Sequence, residues 1–115
     1  MNHSMEKETV SVRDVRRELR ELPKVRRSLS LLKNMKSING NTSEVLDKNI
    51  AELERKVNEY RRIFENLSDV DKAIAFAVFW EGESYRTVSA KMHFSERTLF
   101  RKTYEILNNI AEIVK

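Results

Sequence analysis

Seven apolar residues, Leu46, Ile50, Leu53, Val57, Tyr60, Phe64 and Leu67, follow one another at spacings that alternate between four and three. The alternation averages about 3.5 residues per turn, so all seven line one narrow side of a helix, with charged residues between them in water. A seam of that kind is stable only against another helix. The nearest candidate lies upstream, where Val12, Val15, Leu19 and Leu22 form a stripe that resumes after Pro23 at Val25, Leu29, Leu32 and Met35. Proline removes a backbone donor and crowds the preceding turn, so this stretch is either one kinked helix or two helices with Pro23 at the first position of the second. Between stripe and seam, SINGNTS at residues 37 to 43 reads as a turn. An antiparallel helical hairpin and a homodimeric coiled coil need the same seam, and both stay open at this point.

The rest of the composition agrees with helices. Charged residues make up 35% of the 115, and there are only two glycines and one proline, too few for a sheet with many turns. The expected fold is all-α: an N-terminal helical hairpin or coiled coil followed by a C-terminal three-helix domain. Its parts are a flexible N-terminus at residues 1 to 10, a hairpin or oligomerisation region at 11 to 67, and a compact domain at 68 to 115. Cysteine is absent, which excludes disulfides and thiolate metal sites. The longest apolar run, AIAFAVFW at residues 73 to 80, is too short to span a bilayer, and the start, MNHSMEKETV, lacks the apolar core of a signal peptide. The expectation is a soluble cytoplasmic protein with no membrane partner.

Charge is concentrated in one block. Residues 13 to 36 hold nine basic side chains against three acidic, a net of +6 in a chain whose total is +4. Such a block suits a polyanion, and a merely solvated helix face is the alternative.

The C-terminal part reads as three helices. Ser68, with Asp71 three residues on, is placed to cap a helix through AIAFAVFW, and Gly82 offers a left-handed stop. This helix is apolar nearly all round and should be the centre of the core, with Phe79 and Trp80 buried in it. Ser84 caps a short helix and Ser95 a longer one reaching towards Val114, with His93 and Phe94 between them. Val88, Met92, Phe94, Leu99 and Ile106 should point into the core, with small Ser89 where the two helices approach. Arg97, Arg101 and Tyr104 lie opposite Leu99 on the helical wheel and face outward. Phe100 sits beside the core face, where it either completes the core or seats a partner. Such a tight break between two helices describes a helix-turn-helix, whose outward arginines suit base edges and phosphates.

The stretch SYRTVSAKMHFSERTLFRKTYEIL resembles the helix-turn-helix of sigma factor region 4, and more closely that of the ArpU/RinA-type phage transcription regulators. The residues that carry the likeness are Ser95, Arg97, Thr98, Leu99 and Arg101, which open the recognition helix. It is specific over about residues 66 to 110 and architectural before that. Two positions depart from the pattern: His93 stands where glycine is usual, and Lys102 where an aliphatic residue is common. The resemblance implies a DNA-binding regulator in a bacterial host cell, a late-gene activator of phage or prophage. Arg86, Lys91, Ser95, Arg97, Thr98, Arg101, Lys102 and Tyr104 are then its DNA-facing residues. Arg97 and Arg101 read bases, and Arg86, Lys91 and Lys102 hold phosphate.

No enzyme is expected. His3 and His93 are the only histidines, no carboxylate pair or histidine cluster has ligand-like spacing, and no phosphate loop or nucleophile motif occurs, so neither metal nor cofactor is implied. The expected partners are double-stranded DNA, a second copy of the chain, and RNA polymerase as a further candidate. Two alternatives belong to other classes: a small-terminase-like DNA-packaging factor, and an adaptor that contacts RNA polymerase without reading DNA.

Overall fold

The computed structural model describes residues 2–39 and 44–114. It is all-α, and no strand occurs among the described residues. Helix α1 spans Asn2–Asn39, α2 Glu44–Glu65, α3 Asp69–Ala75, α4 Tyr85–Met92 and α5 Glu96–Ile113; α3 passes directly into a π-helical turn, Phe76–Trp80.

Helix α1 exceeds its expected bounds at both ends. It starts at Asn2, so the stretch expected as a flexible N-terminus continues the helix, and it ends at Asn39, three residues into the expected turn. Residues 40–43 of that turn lie outside the described residues. The helix also runs through Pro23 without dividing. The missing amide leaves the Leu19 carbonyl without its helical donor, but the ring has a use. A Cβ on Gly82 would stand 3.2 Å from Pro23 Cγ, and Gly82 itself has φ +73°, so only glycine meets both the close approach and the left-handed backbone at that stop.

Helix α2 runs antiparallel to α1. Lys33 pairs with Glu54 at 3.4 Å, Lys56 with Glu18 at 3.2 Å, and Lys36 with Asp47, so early residues of α2 meet late residues of α1. Ile50, Val57, Tyr60 and Phe64 of the seam are buried, and so are Val15, Leu19, Leu22 and Leu29 of α1. Leu46, Leu53 and Leu67 pack half-buried against the same core. The seam is thus taken up within one chain. Burial, followed by the hydrogen bond that Tyr60 donates to the Glu18 carboxylate, raises the Tyr60 hydroxyl far above its ordinary pKa.

Phe64 is the hub of an aromatic cluster. It is fully buried, and the rings of Phe76, Phe79 and Trp80 lie 5.5, 6.3 and 6.3 Å from it, all three supplied by the π-helical turn. The wider turn is closed by the Glu81 amide donating to the Phe76 carbonyl at 2.8 Å. Phe79 is buried as expected, whereas Trp80 is only half-buried. Ser68 stands at the N-cap of α3 but makes no side-chain capping bond; Asp69 and Asp71 supply negative charge to that first turn instead.

One continuous core joins the two halves. Residues from α1, α2, α3, α4, α5 and the π-helical turn belong to a single buried cluster, which does not break at residue 68. Helix α1 is the shared element, packing on α2, on the π-helical turn and on α5. The molecule measures 48 × 43 × 20 Å, only about two helix diameters thick, which leaves its helices a solvent face. Among the described residues no helix is long and apolar enough to cross a membrane.

Candidate nucleic-acid interface

Helices α4 and α5 begin with the same local device. Ser84 adopts an extended backbone and its hydroxyl accepts from the Thr87 amide at 3.2 Å; Ser95 does likewise for Thr98 at 3.1 Å. In each case the serine hydroxyl also donates to the threonine hydroxyl, at 2.9 Å. A cap of this type satisfies one of the four amides that open a helix, which is why a helix restarts so soon after another stops.

The turn between them is held by His93 at φ 60°, ψ 33°, a left-handed position. A non-glycine residue occupies it at some energetic cost. An offset comes from the His93 and Phe94 amides, both of which donate to the Ser89 carbonyl. Ser89 is buried at the approach of the two helices, and its hydroxyl donates to the Arg86 carbonyl at 3.0 Å. Val88, Leu99, Ile106 and Ile110 are fully buried, which fixes the face that α5 turns inward.

The opposite face carries the expected cations. Arg97 and Arg101 are exposed, lie one turn apart, and have no partner among the described residues. Arg86 is likewise exposed and free. Lys91 is not: it pairs with Glu83 at 2.6 Å. Lys102 is half-buried with its ammonium 5.2 Å from the Phe94 ring centroid, so the cation in an aliphatic position is accommodated on an aromatic face. Ser95 and Thr98 give their hydroxyls to the cap. Tyr104 is 48% exposed and leans towards α1, where the Arg16 guanidinium lies 5.7 Å from its ring. Phe100 is 61% exposed with its ring against Tyr85 at 6.2 Å, so it stays outside the core. Comparison of the chain with family models, curated proteins and solved structures finds no match.

The contact between Arg16 and Tyr104 belongs to a groove of about 380 Å³ between α1 and α5, with Arg16 and Arg20 beside Tyr85, Phe100 and Tyr104. No acidic residue lines it. Sequence reasoning found the basic block but not its attachment to α5, because nothing in local spacing says which helix α1 will touch. The block also divides in a way the composition concealed. Arg26, expected to face solvent, turns inward: its guanidinium lies 4.2 Å over the Trp80 ring and donates to the Trp80 carbonyl at 2.7 Å. Arg17 pairs with Asp14 at 2.8 Å, and Lys33 and Lys36 are held by α2. Arg13, Arg20, Lys24 and Arg27 remain exposed without a protein partner. With Arg17 they follow spacings of four, three, four and three, a straight line along the outside of α1.

Proposed function

We propose that this chain is a sequence-specific DNA-binding transcription regulator acting in the cytoplasm of a bacterial host, a phage or prophage late-gene activator of the ArpU/RinA type that its α4–α5 segment resembles. The observation that carries the reading is the pair Arg97 and Arg101, exposed and unpartnered on one face of a helix whose other face is fully buried. An α-helix fits the major groove of B-DNA, and arginine there donates two hydrogen bonds to the O6 and N7 of a guanine. The turn and its two serine caps set the angle at which α5 stands away from the body. Arg86, at the start of α4, is placed to hold phosphate. Lys91 exchanges its ion pair with Glu83 for a phosphate only at some cost, which ranks it below Arg86.

Helix α1 extends the surface. Its contact with Tyr104 puts Arg16 and Arg20 on the flank of α5, where the phosphate backbone runs when a helix occupies the groove. Such contacts give affinity and salt dependence without sequence information. The test is selection of bound sequences from a random duplex pool. Wild type should enrich a defined site, while Arg97→Ala and Arg101→Ala should each lose about 1 to 3 kcal/mol on it and relax one base pair. Unaltered selectivity in both variants overturns the assignment.

A second reading rests on Phe100, whose ring is too exposed for a core residue. In it the flank of α5 contacts RNA polymerase. Phe100→Ala would then abolish polymerase association while preserving site selection.

A further inference from the structure

Leu31, Met35, Ile38 and Val45 are 62%, 51%, 82% and 70% exposed, although their neighbours Leu29, Leu32 and Leu46 pack into the core. The first three recur at spacings of four and three, on the line that carries Arg20, Lys24 and Arg27 further back. The outside of α1 is therefore basic along most of its length and apolar at its far end. That end is ordered by the ion pairs of Lys33 and Lys36 with α2, so the apolar line faces away from α2 and is not needed to hold it. Val45, in the first turn of α2, adds to the apolar surface at the same end of the molecule. A cluster of large apolar side chains this exposed marks an interaction surface.

We infer that this patch is where a second copy of the chain docks, in a two-fold, antiparallel contact of the two α1 helices centred on Met35. Charge selects the occupant. Lys24 and Arg27 precede the apolar line and Glu44 opens α2 beyond it, each exposed and without a protein partner. The surface thus has a basic end and an acidic end. A uniformly acidic or basic partner would meet repulsion at one of them, whereas a copy turned end for end meets attraction at both. The same rotation sets Leu31 against the second copy's Ile38, and brings Arg27 towards its Glu44. Four apolar side chains from each copy, with their rim, remove on the order of 1,000 Å² from water, at the low end of specific interfaces, so the dimer is a weak, reversible one. The interface is independent of the DNA-binding reading, since α5 takes no part in it.

The experiment is sedimentation of the full chain over a range of concentrations, for wild type, Leu31→Asp, Ile38→Asp and Arg27→Glu, with circular dichroism to verify helix content. All three positions are exposed, so the variants should fold as wild type does. Wild type should pass from monomer to dimer as concentration rises. The two aspartates should weaken the dimer roughly tenfold or more, and Arg27→Glu should weaken it until combined with Glu44→Arg, which restores it. A wild type that stays monomeric at roughly 100 μM, where even a weak dimer forms, overturns the proposal, as do aspartate variants that associate unchanged. Sedimentation of monomeric wild type with phosphatidylglycerol vesicles, abolished in Ile38→Asp, would assign the patch to a lipid surface and also overturn it.

Discussion

The guanidinium of Arg26 covers the ring of Trp80 at 4.2 Å and caps its carbonyl at 2.7 Å, tying the middle of α1 to the end of the π-helical turn. A charged donor on a half-buried carbonyl, with an aromatic face beneath it, stabilises by more than an exposed ion pair does. Arg26→Ala should cost about 2 kcal/mol in urea unfolding, after allowing for partial exposure. The same variant should leave the salt dependence of DNA binding unchanged.

Its neighbours should behave in the opposite way. Arg20, Lys24 and Arg27 are exposed and touch no protein partner, so replacing all three by Gln should change stability by less than about 0.5 kcal/mol. Each phosphate that the variant no longer neutralises should reduce the slope of log affinity against log salt by about 0.9, for a joint change of roughly two units. Equal slopes for the triple variant and wild type would remove α1 from the DNA surface.

Val57 is buried at 8% exposure, on a seam that α1 already occupies. Val57→Asp should therefore unfold the chain instead of dissociating an oligomer, because an uncompensated carboxylate in that position costs several kcal/mol. A folded, merely monomeric Val57→Asp would show that the seam pairs between chains.

His93 holds a left-handed backbone that L residues adopt at a cost of roughly 1 kcal/mol. Glycine relieves that cost and loses part of the gain to its freer unfolded chain, so His93→Gly should raise stability by about 0.5 kcal/mol. Denaturant midpoints decide it; a fall would mean that the imidazole has a role in the fold.

Tyr60 gives a pH signature. Its hydroxyl titrates well above its ordinary value of 10.0 in the folded chain because burial and the Glu18 hydrogen bond oppose ionisation. The stability linked to this group is therefore complete below about pH 10 and declines as pH rises beyond it, since the unfolded chain releases the proton first. Comparison of Tyr60→Phe with wild type across pH 9 to 11, a window around the ordinary tyrosine value, should show a shallower alkaline loss in the variant.

What the sequence made legible follows the range of the interactions. The seam, the two serine caps, the left-handed stop at Gly82 and the outward pair Arg97 and Arg101 are all set within a few residues, and each could be read from spacing. The fate of Arg26 depended on where Trp80 came to lie, 54 residues away. The continuity of α1 through Pro23 was equally hidden, because a proline's cost is local while the packing of its ring against Gly82 is not. Tyr104 faces outward as its place on the helix requires, yet its contact with Arg16 needed a third dimension.

Pro23 has a mechanical consequence. The long helix rests on Gly82 at the one place where its own hydrogen bonding is interrupted. From this point one arm extends past Arg20 and Arg16 to Tyr104, and the other reaches Met35 and Ile38. The arrangement is that of a beam supported at its weakest section. Load applied to either tip is relieved by bending at Pro23 before it reaches the opposite arm, so the angle of α5 is insulated from whatever holds the far end of α1.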